Sequence, residues 1–475
     1  MTASRFSVSA GVALAALTAA LLAACGGGGD EDNAPPPTEA QAPRIGARSQ
    51  HGPVLGTGAI DSQAGDDEAA ASAPQGDIPP EVHSYAITPQ ATARPFPYHV
   101  TYTAGAIKPS NVSQSAMDSK VSSHYSAWKT NYLRTLGGQG TWVKYDDTNS
   151  TVSEAHGYGM VLAAYMGDKT TFDSMYGYFT KHYSGSGPHL MSWKQTYSGG
   201  TMKNVEGNDS ATDGDLDIAY SLLLAHVQWG STGSINYKAR GLEVMHDILN
   251  YEVNQSYWNL TPGDWASGTD ANHTRPSDFM GGHILAFAKY DTANTTKWNN
   301  VYNTIAAAVN YQYTHGSGAT GLMPDFEVRS GSNFVPVAGT YLEGKHDGDF
   351  SYNACRTPWR LAMSWLNQGR TDMLAPQQKM ASWIRGKTSS TPVNIRAGYY
   401  VKNGTNGNSF VSYDDLAFTA PMVVNAMLGG SAAQTWLNKL WASITGGDYG
   451  THVDYFGDSI RMQVLITVSG NWWAP

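Results

Sequence analysis

Cysteine is nearly absent from this chain: Cys25 and Cys355 are the only two in 475 residues, so one disulfide is the most it could form. The 14 histidines show no paired metal-ligand spacing such as H-E-x-x-H, and Cys355 has no cysteine beside it. No metal site is therefore expected. Serine nucleophile elbows, phosphate-cradling glycine loops and dinucleotide fingerprints are also missing, and no cofactor is expected. No apolar run is long enough to span a bilayer. Alternating runs of strand type are few.

What is present divides the chain in three. Arg5 precedes an apolar run from Val12 to Ala24, too short for a spanning helix and right for an export signal over residues 1–24. It ends in Leu22-Ala23-Ala24-Cys25, similar to the bacterial lipobox, in which the cysteine is lipidated. Cys25 is thus expected to carry lipid, which leaves no partner for a disulfide. The protein is expected to be exported and membrane-anchored, meeting the membrane only through that lipid. Residues 25–90 form the lipidated cysteine and an acidic linker. From residue 26 onward this stretch carries ten acids, two arginines and a single aromatic, Tyr85. Such a composition cannot bury enough apolar surface to order itself. It holds most of the net charge of −9, so residues 91–475 are close to neutral and give no support for nucleic-acid binding.

Residues 91–475 read as one domain, with no second linker and all 14 tryptophans. It is expected to act as a monomer. Helical periodicity recurs at Gly159–Ala164, Ile218–Trp229, Ala239–Leu249, Phe279–Tyr290, Val301–Tyr311, Trp359–Trp365, Pro421–Leu428 and Ala433–Trp441. Polar, glycine-rich loops lie between them. The fold class is all-α, and many medium helices with long loops fit a closed ring of helical hairpins.

Three segments could carry chemistry. In Ala211-Thr-Asp-Gly-Asp-Leu-Asp217, the carboxylates Asp213, Asp215 and Asp217 open an apolar helix that runs from about Leu216 to Trp229. Thr212 or Asp213 can cap its first turn. Capping explains one or two acids well and three poorly, because crowded carboxylates raise each other's pKa. The second segment is Ser153-Glu154-Ala-His-Gly157-Tyr158-Gly159-Met160. Two glycines weaken a first helical turn and are tolerated where a backbone or ligand must come close. Glu154 is a candidate general acid. The third runs from Tyr341 through Glu343, Asp347, Asp349, Tyr352, Asn353 and Arg356 to Arg360, with a helix expected from about Pro358. Here Asp347 and Asp349 read as a solvated turn, and local features do not separate Glu343 from the same reading. Arg356 and Arg360 could position carboxylates or form structural ion pairs. Aromatics in polar surroundings (Trp142, Tyr158, Trp193, Trp265 and Tyr352) suit the stacking of sugar rings, and two carboxyl groups suffice to hydrolyse a glycosidic bond.

Together the three segments resemble glycoside hydrolase family 8, from Pro95-Phe-Pro97 and Ile107-Lys-Pro109 to Gly470-Asn-Trp-Trp473. The resemblance implies an (α/α)6 barrel of six inner and six outer helices and an inverting reaction. It implies Glu154 as general acid and Asp213 as the residue holding the sugar at the cleavage point. The cellulase-like branch has an aspartate as base in a Tyr-Asp-Ala-x-Arg motif, but here that position is Asn353, and an amide cannot take the proton. A second branch, which includes Bacillus-type chitosanases and glucanases, also has asparagine there. It uses a glutamate ten residues earlier, which here is Glu343.

The expected function is endo-acting, inverting hydrolysis of β-1,4 bonds in a β-linked glucan, cellulose-like or mixed-linkage. Chitosan is the alternative substrate, for which Asp278, Asp347 and Asp349 could supply cleft carboxylates. An inactive glucan-binding lipoprotein is the alternative of another class, raised by Asn353. Trp142, Tyr158, Trp193, Trp265, Asp215, Tyr352, Asn353 and Arg356 are expected to bind substrate.

Overall fold

The structure is a computed structural model that describes residues 93–145, 149–401, 406–450 and 454–475. The expected export signal and linker, with Cys25, lie outside the described residues.

In chain order the helices are α1 (Gln114–Tyr132), α2 (Ser153–Tyr165), α3 (Lys169–Phe179), α4 (Thr212–Trp229), α5 (Tyr237–Asp247), α6 (Gly281–Tyr290) and α7 (Thr295–His315). They continue as α8 (Thr357–Arg360), α9 (Met363–Gln368), α10 (Leu374–Lys387), α11 (Leu416–Ala426), α12 (Gln434–Ile444) and α13 (Tyr455–Val468). Packing alternates. Helices α2, α4, α6, the α8–α9 pair, α11 and α13 touch in sequence, and α13 closes on α2 to complete an inner ring. Around it, α1 packs on α13, α3 on α2, α5 on α4, α7 on α6, and α10 and α12 on α11. This is an (α/α)6 barrel.

The two layers differ in burial, and the sequence pattern follows. Outer α12 buries one stripe, Trp436, Leu437, Leu440, Trp441 and Ile444, each worth roughly 1.5–3 kcal/mol of removal from water. Inner α2, α11 and α13 are buried along their whole length. They face the barrel interior on one side and the outer layer on the other, so no polar stripe remains. The ring is fastened at the far end of α2, where Tyr165 packs on Trp472 and Trp473 at centroid distances of 4.5 and 5.2 Å. Its hydroxyl donates to the Trp473 carbonyl at 2.7 Å.

Strands are short and antiparallel. Ser150–Val152, Lys194–Ser198 and Thr201–Asn204 form one three-stranded sheet, and His273–Thr274, Glu327–Ser330 and Asn333–Pro336 another. None exceeds five residues, too short for a period of two to stand out. Because inner helices are joined through outer ones, they run the same way. Their N-terminal ends, and the loops that lead into them from the outer helices, therefore gather at one rim.

Candidate active site

Glu154 is the second residue of α2 and Asp213 the second of α4. Two glycines bring them together. A Cβ on Gly157 would lie 2.9 Å from the Gly214 carbonyl oxygen, and one on Gly214 would lie 2.6 Å from the Ser153 carbonyl carbon. The helices thus meet backbone to backbone through reciprocal glycines. The close approach that the glycines of the Glu154 segment suggested is to protein.

The aspartates of α4 are not crowded, which corrects the reading from sequence. On a helix, residues two apart face opposite ways and residues four apart share a face. Asp213 pairs with Arg275 at 2.9 Å and Arg356 at 2.8 Å. Asp217 pairs with His283 and Arg360, each at 2.9 Å. Asp215 turns away and accepts the Met191 N–H at 2.7 Å. Burial pushes its carboxyl up, and the neighbouring Glu252 pushes it further. Nor does any of them cap the helix: it begins at Thr212, and Ala211 is the N-cap without a side-chain bond. Thr212 instead donates its hydroxyl to the Thr261 carbonyl.

Arg356, fully buried, is the hub. Its Nη1 donates to Glu154 Oε2 at 2.5 Å, to Asp213 Oδ2 at 2.8 Å and to the Tyr158 hydroxyl at 3.2 Å. Its Nη2 donates to Ser277 Oγ at 2.9 Å and to Asn353 Oδ1 at 2.8 Å. With its oxygen so engaged, Asn353 presents Nδ2 to Glu343 Oε2 at 2.9 Å. A continuous path of bonds thus runs from Glu154 through Arg356 and Asn353 to Glu343. The remaining oxygen of Glu154 accepts from the Tyr455 hydroxyl at 2.6 Å. The remaining oxygen of Glu343, Oε1, is enclosed and has no protein partner.

The electrostatics separate these carboxyls. Burial raises Glu154 to about 7, against the pull of Arg356 and with help from the Asp213 charge. Burial likewise raises Glu343 to about 7, opposed by the Asn353 bond and Arg275. Burial acts the same way on Asp213, but Arg275, Arg356 and Arg360 overwhelm it and hold that carboxylate ionised. The arrangement offers two groups able to carry or release a proton near neutrality, beside one fixed negative charge. That is equipment for acid–base cleavage of a bond lying across them. Among the described residues no cluster of side chains could hold a metal ion.

The nominated aromatics are placed differently. Tyr158 lies under Arg356, fully buried. Tyr352 donates its hydroxyl to Asp415 at 2.9 Å. Trp142 packs on Tyr178 at 5.7 Å, and Trp193 donates Nε1 to the Glu206 carbonyl. Trp265 is half-buried, its indole edge against Gly263. The reading of Asp347 and Asp349 as a solvated turn is also corrected, since both are 3 % exposed and bonded. Sequence reasoning missed Arg275 and Tyr455. Tyr455 lies 301 residues beyond Glu154, and only ring closure joins them.

The family model for glycosyl hydrolases family 8 matches residues 94–468. A beta-glucanase of Niallia circulans is 46% identical over 81% of this chain and 92% of its own length. An endoglucanase of Bacillus sp. (strain KSM-330) is 33% identical over 80% of this chain and 82% of its own. The solved structure of a beta-1,3-1,4-glucanase from Paenibacillus sp. X4 superposes with a TM-score of 0.77 at 44% identity, covering 81% of this chain and all of that one. A cold-adapted family 8 xylanase at 19% identity and a TM-score of 0.63, covering 75% of this chain and 92% of its own, shares the fold.

Proposed function

The chain belongs to glycosyl hydrolases family 8 and is a glycosidase, and from that premise we propose that it cleaves β-glucan internally, with inversion at the anomeric carbon. One observation carries the reading: two buried carboxyls, each raised to about 7, at the two ends of the path through Arg356 and Asn353. Glu154 gives its proton to the leaving glycosidic oxygen. Glu343 takes a proton from the attacking water. Asp213, held ionised by its arginines, accepts hydrogen bonds from the sugar as it distorts toward the oxocarbenium-like transition state. Asn353 orients Glu343 and does not itself take a proton. The pair should stand about 6.5–9.5 Å apart, leaving room for the water.

A glucan is favoured over chitosan because the spare carboxylates are already engaged. Asp278 pairs with Arg275 at 3.0 Å, Asp349 with His346 at 3.0 Å, and Asp347 is taken up by backbone amides. None is left to meet a cationic sugar. The beta-glucanase and beta-1,3-1,4-glucanase relatives support a mixed-linkage or cellulose-like substrate. From the sequence alone, the enzyme is exported and held by lipid on Cys25. The test is reducing-end release and viscosity loss on mixed-linkage glucan, soluble cellulose, xylan and chitosan. Rapid viscosity loss on a glucan supports the reading. Faster hydrolysis of chitosan, or no hydrolysis of any polymer, overturns it.

A further inference from the structure

The loop that carries Glu343 is tied to a single carboxylate. Asp347 Oδ2 accepts the backbone N–H groups of Tyr341 and Leu342 at 2.8 Å and of Glu343 at 3.1 Å, and its Oδ1 accepts that of Gly344 at 2.8 Å. Four successive amides thus converge on one anion, the geometry of a backbone nest closed by the chain's own side chain. Asp347 is itself anchored to the barrel side: its carbonyl accepts the Phe326 N–H at 2.8 Å, and it is 3 % exposed. Tyr341, at the start of the nest, stacks on His273 at 3.8 Å between ring centroids. The nest thereby fixes the backbone at Glu343, whose carboxylate accepts from Asn353 at 2.9 Å.

We propose that Asp347 is the positioning residue for the base, fixing the backbone at Glu343 so that its carboxylate is held against Asn353 in the orientation the reaction needs. The proposal rests on Glu343 being the base. A helix would hold a catalytic group by its own ladder, but this loop has none across residues 341–344, and the Asp347 carboxylate replaces it. Among the described residues no other acceptor takes these four donors. An asparagine in its place offers one carbonyl oxygen and turns an NH2 toward further N–H donors, so at least part of the nest opens. A shift of about 1 Å in a reacting group is enough to lower a rate about 10²-fold.

The charged groups facing Glu343 are Arg275 and Arg356, which favour its ionised form, and Asp347 and Asp325, which oppose it. Neutralising Asp347 removes a repulsion, and opening the nest lets in solvent. Both act downward on Glu343, so the acid limb of the pH profile of kcat/KM should move to lower pH.

The experiment compares Asp347→Asn, Glu343→Ala and the double variant on soluble mixed-linkage glucan. Asp347→Asn should lower kcat by about 10- to 100-fold with little change in KM, and shift the acid limb downward. In the Glu343→Ala background, adding Asp347→Asn should cost nothing further, because a residue acting only through Glu343 has nothing left to position. A multiplied loss in the double variant, an unmoved acid limb, or an effect confined to KM and melting temperature overturns the proposal. Should Asp347→Asn not fold, hydrogen exchange on the wild-type enzyme decides. The amides of Tyr341–Gly344 must be protected far beyond free-loop rates, and unprotected amides overturn the proposal. The two readings fail separately. Wild-type turnover in Glu343→Ala sinks the base assignment, whereas a dead Glu343→Ala beside an active Asp347→Asn sinks only the positioning role.

Discussion

Replacing Glu154 by Gln keeps the side-chain shape and removes the transferable proton. The carboxyl lies between two donors, the Tyr455 hydroxyl at 2.6 Å and Arg356 Nη1 at 2.5 Å. A glutamine satisfies both. Its carbonyl accepts from Arg356, and its NH2 donates to the Tyr455 oxygen, which reverses its role. The bond to Arg356 loses its second charge, so the fold should lose no more than about 1.5–3 kcal/mol. Turnover on polymer should fall by about 10²-fold or more. At 1.36 kcal/mol per decade that is about 2.7 kcal/mol of barrier. An aryl glycoside whose leaving group needs no proton should lose much less. The same group sets a pH dependence of stability. Its pKa rises from 4.5 to about 7 on folding, so the bound proton stabilises the fold fully below about pH 4.5. That contribution is lost as pH rises through about 7, and at 1.36 kcal/mol per unit it amounts to about 3 kcal/mol. The variant lacks it, so its melting temperature should fall less than wild type's between pH 5 and pH 8. Steady-state kinetics on both substrates, with thermal melts across that range, check the argument. Near-wild-type turnover on polymer, or equal losses on both substrates, refutes it.

Glu343→Ala should cut turnover to a measurable trace while leaving oligosaccharide binding in place, whereas Asn353→Ala should do less damage; titration calorimetry beside kinetics separates the two. An early NMR time course should show the inverted anomer first, and a retained anomer would sink the assigned pair. Gly214→Ala drives a Cβ to within 2.6 Å of the Ser153 backbone, so α2 and α4 must part. Overpacking of that kind costs about 1–3 kcal/mol, and a melt should show the loss together with reduced turnover. Cys25→Ser should yield unlipidated protein with unchanged activity on soluble glucan, and failure of the wild-type protein to partition into detergent counts against the tether.

The sequence was most legible where a helix keeps one dry face. The stripe of α12 announces itself, and α5 and α7 do likewise. Helix α13 was missed because its buried Asp458, Arg461 and Gln463 interrupt the apolar residues, so it reads as neither an apolar run nor a stripe. Helix α1 was missed too: its buried Met117, Val121, Tyr125 and Trp128 are diluted by serines and lysines on the outer surface. At the site, Glu154 and Asp213 stood out because two glycines in one first turn and three acids at one helix start exceed what capping explains. Glu343 did not, since its neighbours read as an ordinary polar turn, and the family resemblance was needed to select it. What distinguishes that turn is Asp347, whose bonds go to backbone amides that every sequence possesses. Arg275 reaches Asp213 across 62 residues and Tyr455 reaches Glu154 across 301, so no local pattern could have revealed either.

The closure of α13 on α2 has a consequence for how the enzyme comes into being. Tyr455 opens α13, and α13 is the ring helix furthest along the chain. Helical hairpins early in the chain can form from near neighbours, but the bond to Glu154 must wait for a contact of very large sequence separation. Loop-closure entropy makes such contacts slow. Catalytic competence should therefore lag behind the gain of helical signal during refolding, and the delay measures the time the last stave takes to seat. Until then Glu154 lacks its tyrosine, and a partly assembled barrel has helices but no working acid.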